Sequence, residues 1–137
     1  MVLLEQAIIE LGAVRPQGDQ HFLAIAAERV REELERRGYT IRARNYRCRG
    51  GEADLVAEEG GCLVFVEVKT RSRLDHGLPQ EAVGWTKQQR LGLAAAHYCH
   101  HHGIEDRPLR FDVAEVVMLR NEIAVVHVLV DAFTPEE

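Results

Sequence analysis

Positive charge is in short supply in this chain of 137 residues: 17 lysines and arginines stand against 22 acidic residues, for a formal net charge of −5. That balance argues against a protein that coats nucleic acid without discrimination. Lysine is scarcest, with only Lys69 and Lys87 beside 15 arginines. The three cysteines, Cys48, Cys62 and Cys99, make no CxxC pair and leave an odd one out. A disulfide framework or thiolate zinc site is therefore not expected, and reduced thiols of a cytoplasmic protein are. No apolar run reaches the roughly 20 residues that a membrane-spanning helix needs. The opening MVLLEQAIIELGAV has no basic leading region and carries Glu5 and Glu10, so it does not read as a signal peptide. Repeats, linkers and low-complexity segments are missing as well. What is present, 46% apolar and 28% charged residues, is the composition of a globular protein with one ordinary core, read as a single domain over 1–137.

The stretch from Gly50 to Arg73 organises the rest. Glu52 to Glu58 alternates acidic and apolar residues, and Cys62 to Lys69 is rich in valine and phenylalanine, with Gly60-Gly61 between them. This is the pattern of a β-hairpin. With the two glycines as the loop, Glu59 pairs with Cys62 and paired numbers sum to 121. Asp54 then faces Glu67, and Glu52 faces Lys69, with Cβ atoms roughly 5 Å apart on one face. Opposed carboxylates on a half-buried strand are destabilising unless something offsets them. A divalent cation does so: Mg²⁺ takes oxygen ligands from one or two carboxylates and completes its octahedron with water and phosphate. The plainer reading is a solvated face on which Glu67 pairs with Lys69. Against it stands LVFVEV, where an isolated charge among β-formers is poorly explained as solubility.

Flanking segments read as follows. Residues 3–14 suit a short amphipathic helix, either docked on the core or used as a dimer contact. Asp19 to Arg37 has Leu23, Ala26, Ala27, Val30 and Leu34 at helical spacing as a core stripe, ended by Gly38. Tyr39 to Arg47 alternates Ile41, Ala43 and Asn45 against Arg42, Arg44 and Tyr46, a strand. Arg42 and Arg44 read equally as phosphate contacts or as charges guarding an edge. Arg47 and Arg49 lead into the hairpin and Arg71 follows it, so these three are assigned to phosphate. Residues 72–79 form a loop. Thr86 caps a second helix, Lys87 to His102, buried through Leu91, Ala94, Ala95 and Tyr98. Trp85 is read as core or interface. In HYCHHHG, His97 and His101 are four apart with Cys99 between, but a polar helix end is favoured over zinc. Leu109–Leu119 and Glu122–Val130 are two strands around an Arg120-Asn121 turn. Arg110 and Asp112 share a face and pair, and His127 is read as a satisfied core histidine.

GEADLVA, LVFVEVKTR, the preceding GYTIRARNYRCRGGE and the later RFDVAEV together resemble the YraN-like family of bacterial proteins, which is related to the PD-(D/E)xK nucleases and the Holliday-junction resolvases. The likeness runs from about Gly18 to Phe133, leaving 1–17 as an N-terminal extension and 18–133 as the core. It implies an α/β, restriction-endonuclease-like fold: a mixed five-stranded sheet flanked by helices, in the order α-β-β-β-α-β-β. Carried over by position, Asp54 and Glu67 are catalytic and hold Mg²⁺ (or Mn²⁺), with the Val68 carbonyl as a further ligand. Lys69 serves the attacking water. Glu52 is an auxiliary acid, and Lys87 and Arg90 lie near the site as phosphate contacts. The implied activity is hydrolysis of DNA phosphodiesters, branched structures included, and a homodimer follows by analogy with resolvases. The chain departs from the family at Ala27, where many members carry a helix glutamate that completes the metal site. Two alternatives stand beside the nuclease: a DNA- or RNA-binding module that has lost turnover, and a protein-interaction module.

Overall fold

Why the chain folds as it does is clearest in its middle strand. In the computed structural model, which describes residues 17–72, 83–119 and 122–135, the run Cys62–Ser72 forms the strand β3 and is covered on both faces. Val64, Val66 and Val68 point to one core, Leu63 and Phe65 to the other. A strand buried on both sides reads as a near-continuous hydrophobic run, as this one does. The elements in order are α1 (Gln17–Arg36), β1 (Thr40–Cys48), β2 (Gly51–Glu59), β3, α2 (Trp85–His101), β4 (Leu109–Leu119) and β5 (Glu122–Leu129). They build a mixed five-stranded sheet in the order β1-β2-β3-β4-β5. Only β3 and β4 run parallel, joined by the α2 crossover, and the other pairs are antiparallel. The expected α/β architecture and element order are those observed.

α1 packs Ala26, Val30 and Leu34 against Leu55, Val66, Val68, Ala114 and Val116. α2 covers the opposite face with Leu91, Ala94, Ala95 and Tyr98, over Val56, Phe65 and Phe111. Gly38 ends α1 with φ 97°, the left-handed conformation expected after a helix, and Tyr39 N–H returns to the Leu34 carbonyl. Gly60 and Gly61 both have positive φ and make the two-residue turn. The observed pairs, from Leu55↔Val66 to Glu59↔Cys62, all sum to 121, the register the turn dictates.

Some expectations are corrected. Ala27 is half-buried beside a cleft and does not belong to the core stripe of α1. β1 does not alternate simply: its register shifts between Ile41 and Ala43, and Asn45 is left-handed at φ 50°. Ile41 consequently packs on the α1 side, while Ala43 and Tyr46 pack on the α2 side. α2 starts earlier than expected, with Gly84 at its N-cap and no side-chain cap bond, so Thr86 does not cap it. Trp85 is 64% exposed, and His127 is exposed on the edge strand, neither of them in a core. Arg110 and Asp112 do pair, at 2.9 Å, and buried Asp112 also takes the Tyr39 hydroxyl at 2.7 Å. The expectations for residues 3–14, for the loop beyond Ser72 and for the Arg120-Asn121 turn lie outside the described residues.

Candidate active site

The site begins with a defect in the sheet. β1 and β2 pair at Arg44↔Leu55 and again at Tyr46↔Ala53, and between these pairs stands Asn45 in its left-handed turn opposite Asp54. Asparagine tolerates that conformation better than most residues do. On its other side β2 has no ladder partner beyond Leu55↔Val66. The Asp54 carboxylate takes up the free backbone of β3, accepting the Val68 N–H at 2.7 Å. A strand residue sends N–H and C=O to the same side, so the Val68 carbonyl also lies on the Asp54 edge.

Glu67 meets Asp54 there, and their carboxyl groups hydrogen-bond to each other. Burial, followed by this bond to Glu67, pushes Asp54 well above the usual carboxylate range. For Glu67, burial acts in the same direction but is outweighed by the Asp54 bond and by Lys69 and Lys87, and its pKa is lowered. The contact thus favours the protonated form of Asp54 and the ionised form of Glu67. Two ammonium groups complete the cluster: Lys69 Nζ lies 3.4 Å and Lys87 Nζ 3.3 Å from Glu67 Oε2. Lys69 is fully buried, and burial lowers its pKa despite Glu67. Lys87 is also opposed by burial, but Glu67, Asp54 and Glu52 prevail and raise it.

The residues named from sequence separate into three groups. Asp54, Glu67, Val68 and Lys69 come together. Glu52 does not face Lys69; its carboxylate lies 3.5 Å from Lys87, 3.7 Å from Arg47 and 3.9 Å from Arg90. The face-to-face register fails there because the β2–β3 ladder stops short of it. Arg49 is exposed in the turn between β1 and β2. Arg71 is the clear displacement: it is 9% exposed and holds Glu115 at 2.8 Å, so it points inward rather than toward a ligand. Lys87, expected only as a phosphate contact, sits directly on Glu67. Its rarity as one of two lysines was the available signal.

A cleft of about 520 Å³ reaches this edge of the sheet, lined by Ala24, Ala27 and Glu28 of α1, Arg44 and Arg47 of β1, Asp54 and Val68. The donor set suits a hard divalent ion. The carboxylates of part-buried Asp54 and buried Glu67 come together, Glu67 Oε2 has no well-formed hydrogen bond, and a backbone carbonyl lies alongside. Among the described residues no three His, Cys, Asp or Glu side chains gather to hold a metal. His97 instead hydrogen-bonds the Tyr46 hydroxyl.

A family model described as Uncharacterised protein family UPF0102 matches residues 26–116, which span Ala27, Asp54, Glu67, Lys69 and Lys87. The chain belongs to the UPF0102 family. This is the YraN-like group to which the sequence motifs pointed. The UPF0102 protein of Symbiobacterium thermophilum is 54% identical over 85 residues, 62% of this chain and 72% of the relative. That of Lachnoclostridium phytofermentans is 48% identical over 101 residues, covering 73% and 84%. A third, from Alkaliphilus metalliredigens, is 42% identical over 104 residues, covering 76% and 90%. In this UPF0102 chain, no helix among the described residues is long and apolar enough to cross a membrane.

Proposed function

We propose that this UPF0102 protein is a Mg²⁺- or Mn²⁺-dependent nuclease that hydrolyses DNA phosphodiesters, branched DNA included. The observation that carries the reading is the meeting of part-buried Asp54 with buried Glu67, with Lys69 on Glu67 Oε2. Nothing in the packing of β2 and β3 requires two carboxyl groups to face each other there, and such an arrangement is costly unless it serves a ligand. Asp54, Glu67 and the Val68 carbonyl would hold the ion. Bound there, it supplies a water of lowered pKa and neutralises charge on the phosphoryl oxygens.

The chain's own groups do the rest. The Val68 N–H clamps Asp54, fixing one ligand to the backbone of the central strand. Lys69, anchored beside Glu67, holds the attacking water and offsets the negative charge that builds on phosphorus as the bond to the leaving oxygen breaks. Lys87 keeps Glu67 ionised. Glu67→Ala is expected to lower Mg²⁺-dependent cleavage by at least about a hundredfold with the far-ultraviolet circular dichroism unchanged. Asp54→Asn, which keeps a hydrogen-bond donor to Glu67, serves as a second variant if the first fails to fold. Cleavage at the wild-type rate by either folded variant ends the proposal.

One observation favours a second reading. On the α1 wall of the cleft the carboxylate present, Glu28, is paired with Arg31 and Arg44, and Ala24 and Ala27 stand beside it. A scaffold with two acids instead of three binds metal more weakly, and a nucleic-acid-binding module without turnover fits that loss. It predicts salt-sensitive binding of DNA or RNA and no metal-dependent cutting.

A further inference from the structure

We propose that Arg47, Lys87 and Arg90 form a phosphate subsite for a nucleic-acid strand, and that Glu52 is its occupant in the free protein. The inference rests on the nucleic-acid reading above and assigns Glu52 a role other than metal ligand. Three cations approach this one carboxylate, Lys87 at 3.5 Å, Arg47 at 3.7 Å and Arg90 at 3.9 Å. None of them closes a tight pair. The buried pairs elsewhere in the sheet are shorter, Arg71–Glu115 at 2.8 Å and Arg110–Asp112 at 2.9 Å. Arg47 and Arg90 keep 75% and 46% of their side chains in solvent. A carboxylate shared loosely among exposed cations is readily exchanged for another anion, and a phosphate offers more acceptor oxygens in a tetrahedral array.

Charge points the same way. The four cations Arg47, Lys69, Lys87 and Arg90 outnumber the three acids among them, Glu52, Asp54 and Glu67. This surplus sits in a chain whose net charge is −5, so it is local and directional. The position of Glu52 is also built in. A Cβ on Gly51 would stand 2.7 Å from the Ala94 nitrogen and 2.8 Å from the Arg90 carbonyl, so the missing side chain lets β2 lie directly on the α2 backbone. That contact brings the next residue, Glu52, against the first turns of α2. Lys87 touches both Glu52 and Glu67, which places a phosphate in the subsite one lysine away from the acid pair.

The test measures binding of fluorescein-labelled single-stranded and duplex oligonucleotides by anisotropy in EDTA over a NaCl series. The proteins are wild type, Glu52→Gln, Arg47→Ala/Arg90→Ala and the triple variant, with Mg²⁺ affinity measured by calorimetry and folding by thermal melts. Glu52→Gln is expected to tighten oligonucleotide binding roughly five- to tenfold by removing a charge about 4 Å from three cations. It should also steepen the slope of log K against log salt by about 0.9, one added phosphate contact. The arginine pair variant should weaken binding and cancel the gain in the triple variant, while the Mg²⁺ affinity of Glu52→Gln stays at the wild-type value. Unchanged or weaker oligonucleotide binding, or a gain that survives loss of both arginines, overturns the proposal. So does a fall in Mg²⁺ affinity, which would make Glu52 a metal ligand. Inorganic phosphate binding Glu52→Gln as tightly as the oligonucleotide does would assign the subsite to the free ion and overturn the strand. Because these readings need no cutting, a Glu67→Ala protein that cleaves normally sinks the nuclease and leaves this subsite standing.

Discussion

Raising the pH should loosen this fold in the absence of metal, and Mg²⁺ should cancel the effect. The perturbation acts through Asp54, whose folded-state pKa is raised by burial and by its bond to Glu67. An unfolded aspartate titrates near about 3.9. A group with a raised folded value contributes its full stability below the unfolded pKa and loses it as pH rises through the folded one. Between the two values the native state holds one more proton than the unfolded chain, so stability falls by about 1.4 kcal/mol per pH unit. For a domain of this size that is about 3–6 °C in Tm per unit. Glu67 behaves oppositely: its lowered pKa gives stability that is present above the unfolded glutamate value and lost as pH falls toward the folded one. Asp54→Asn isolates the first effect, because asparagine keeps a donor toward Glu67 and cannot ionise. Thermal melts of wild type and Asp54→Asn in EDTA should diverge with rising pH, the wild type losing ground at the slope above. Saturating MgCl₂ should displace the proton, restore the wild type and leave the variant unmoved. Parallel curves for the two proteins in EDTA, or equal Mg²⁺ stabilisation of both, would refute the reasoning.

Ala27→Glu adds a carboxylate to the α1 wall of the cleft facing Asp54 and Val68. It should tighten Mn²⁺ binding by about tenfold or more in calorimetry, as a further anionic oxygen ligand does, and an unchanged affinity would place Ala27 outside the metal's reach. Gly51→Ala drives a methyl to within 2.7 Å of the Ala94 nitrogen, and neither backbone can yield without moving α2. Urea unfolding should show a loss of about 1–3 kcal/mol, with wild-type stability contradicting the close approach.

Much of the fold was legible because its strongest signals are local. The Gly60-Gly61 turn sets a register by itself, and Leu91, Ala94, Ala95 and Tyr98 repeat at a spacing that only a helix face satisfies. The meeting of the acid pair with Lys69 followed from that register together with strand alternation. What stayed hidden depends on the partner of a residue. Glu52 was placed by extending the β2–β3 ladder past Leu55↔Val66, where the real ladder ends. Arg71 looked like a surface cation because its buried acid, Glu115, lies 44 positions further along the chain. The register shift at Arg42 and the left-handed Asn45 break the alternation of β1, and no periodicity in the sequence announces either. Trp85 was read as core or interface, and the start of α2 rules out the core by leaving it in solvent.

The double covering of β3 has a consequence for how such a protein can change over time. Val66 and Val68 fill one interior while Glu67 and Lys69, on the reverse side of the same ribbon, are the residues proposed to serve the chemistry. Sliding this ribbon by a single position would exchange the two sets, driving charges into the hydrocarbon beneath α1 and valines into the cluster of lysines. Loss of chemistry by mispairing would therefore take the whole molecule down with it. A silent descendant of this scaffold can arise only by replacing side chains one at a time, and it would keep the valines in place as the record of where the acids had been.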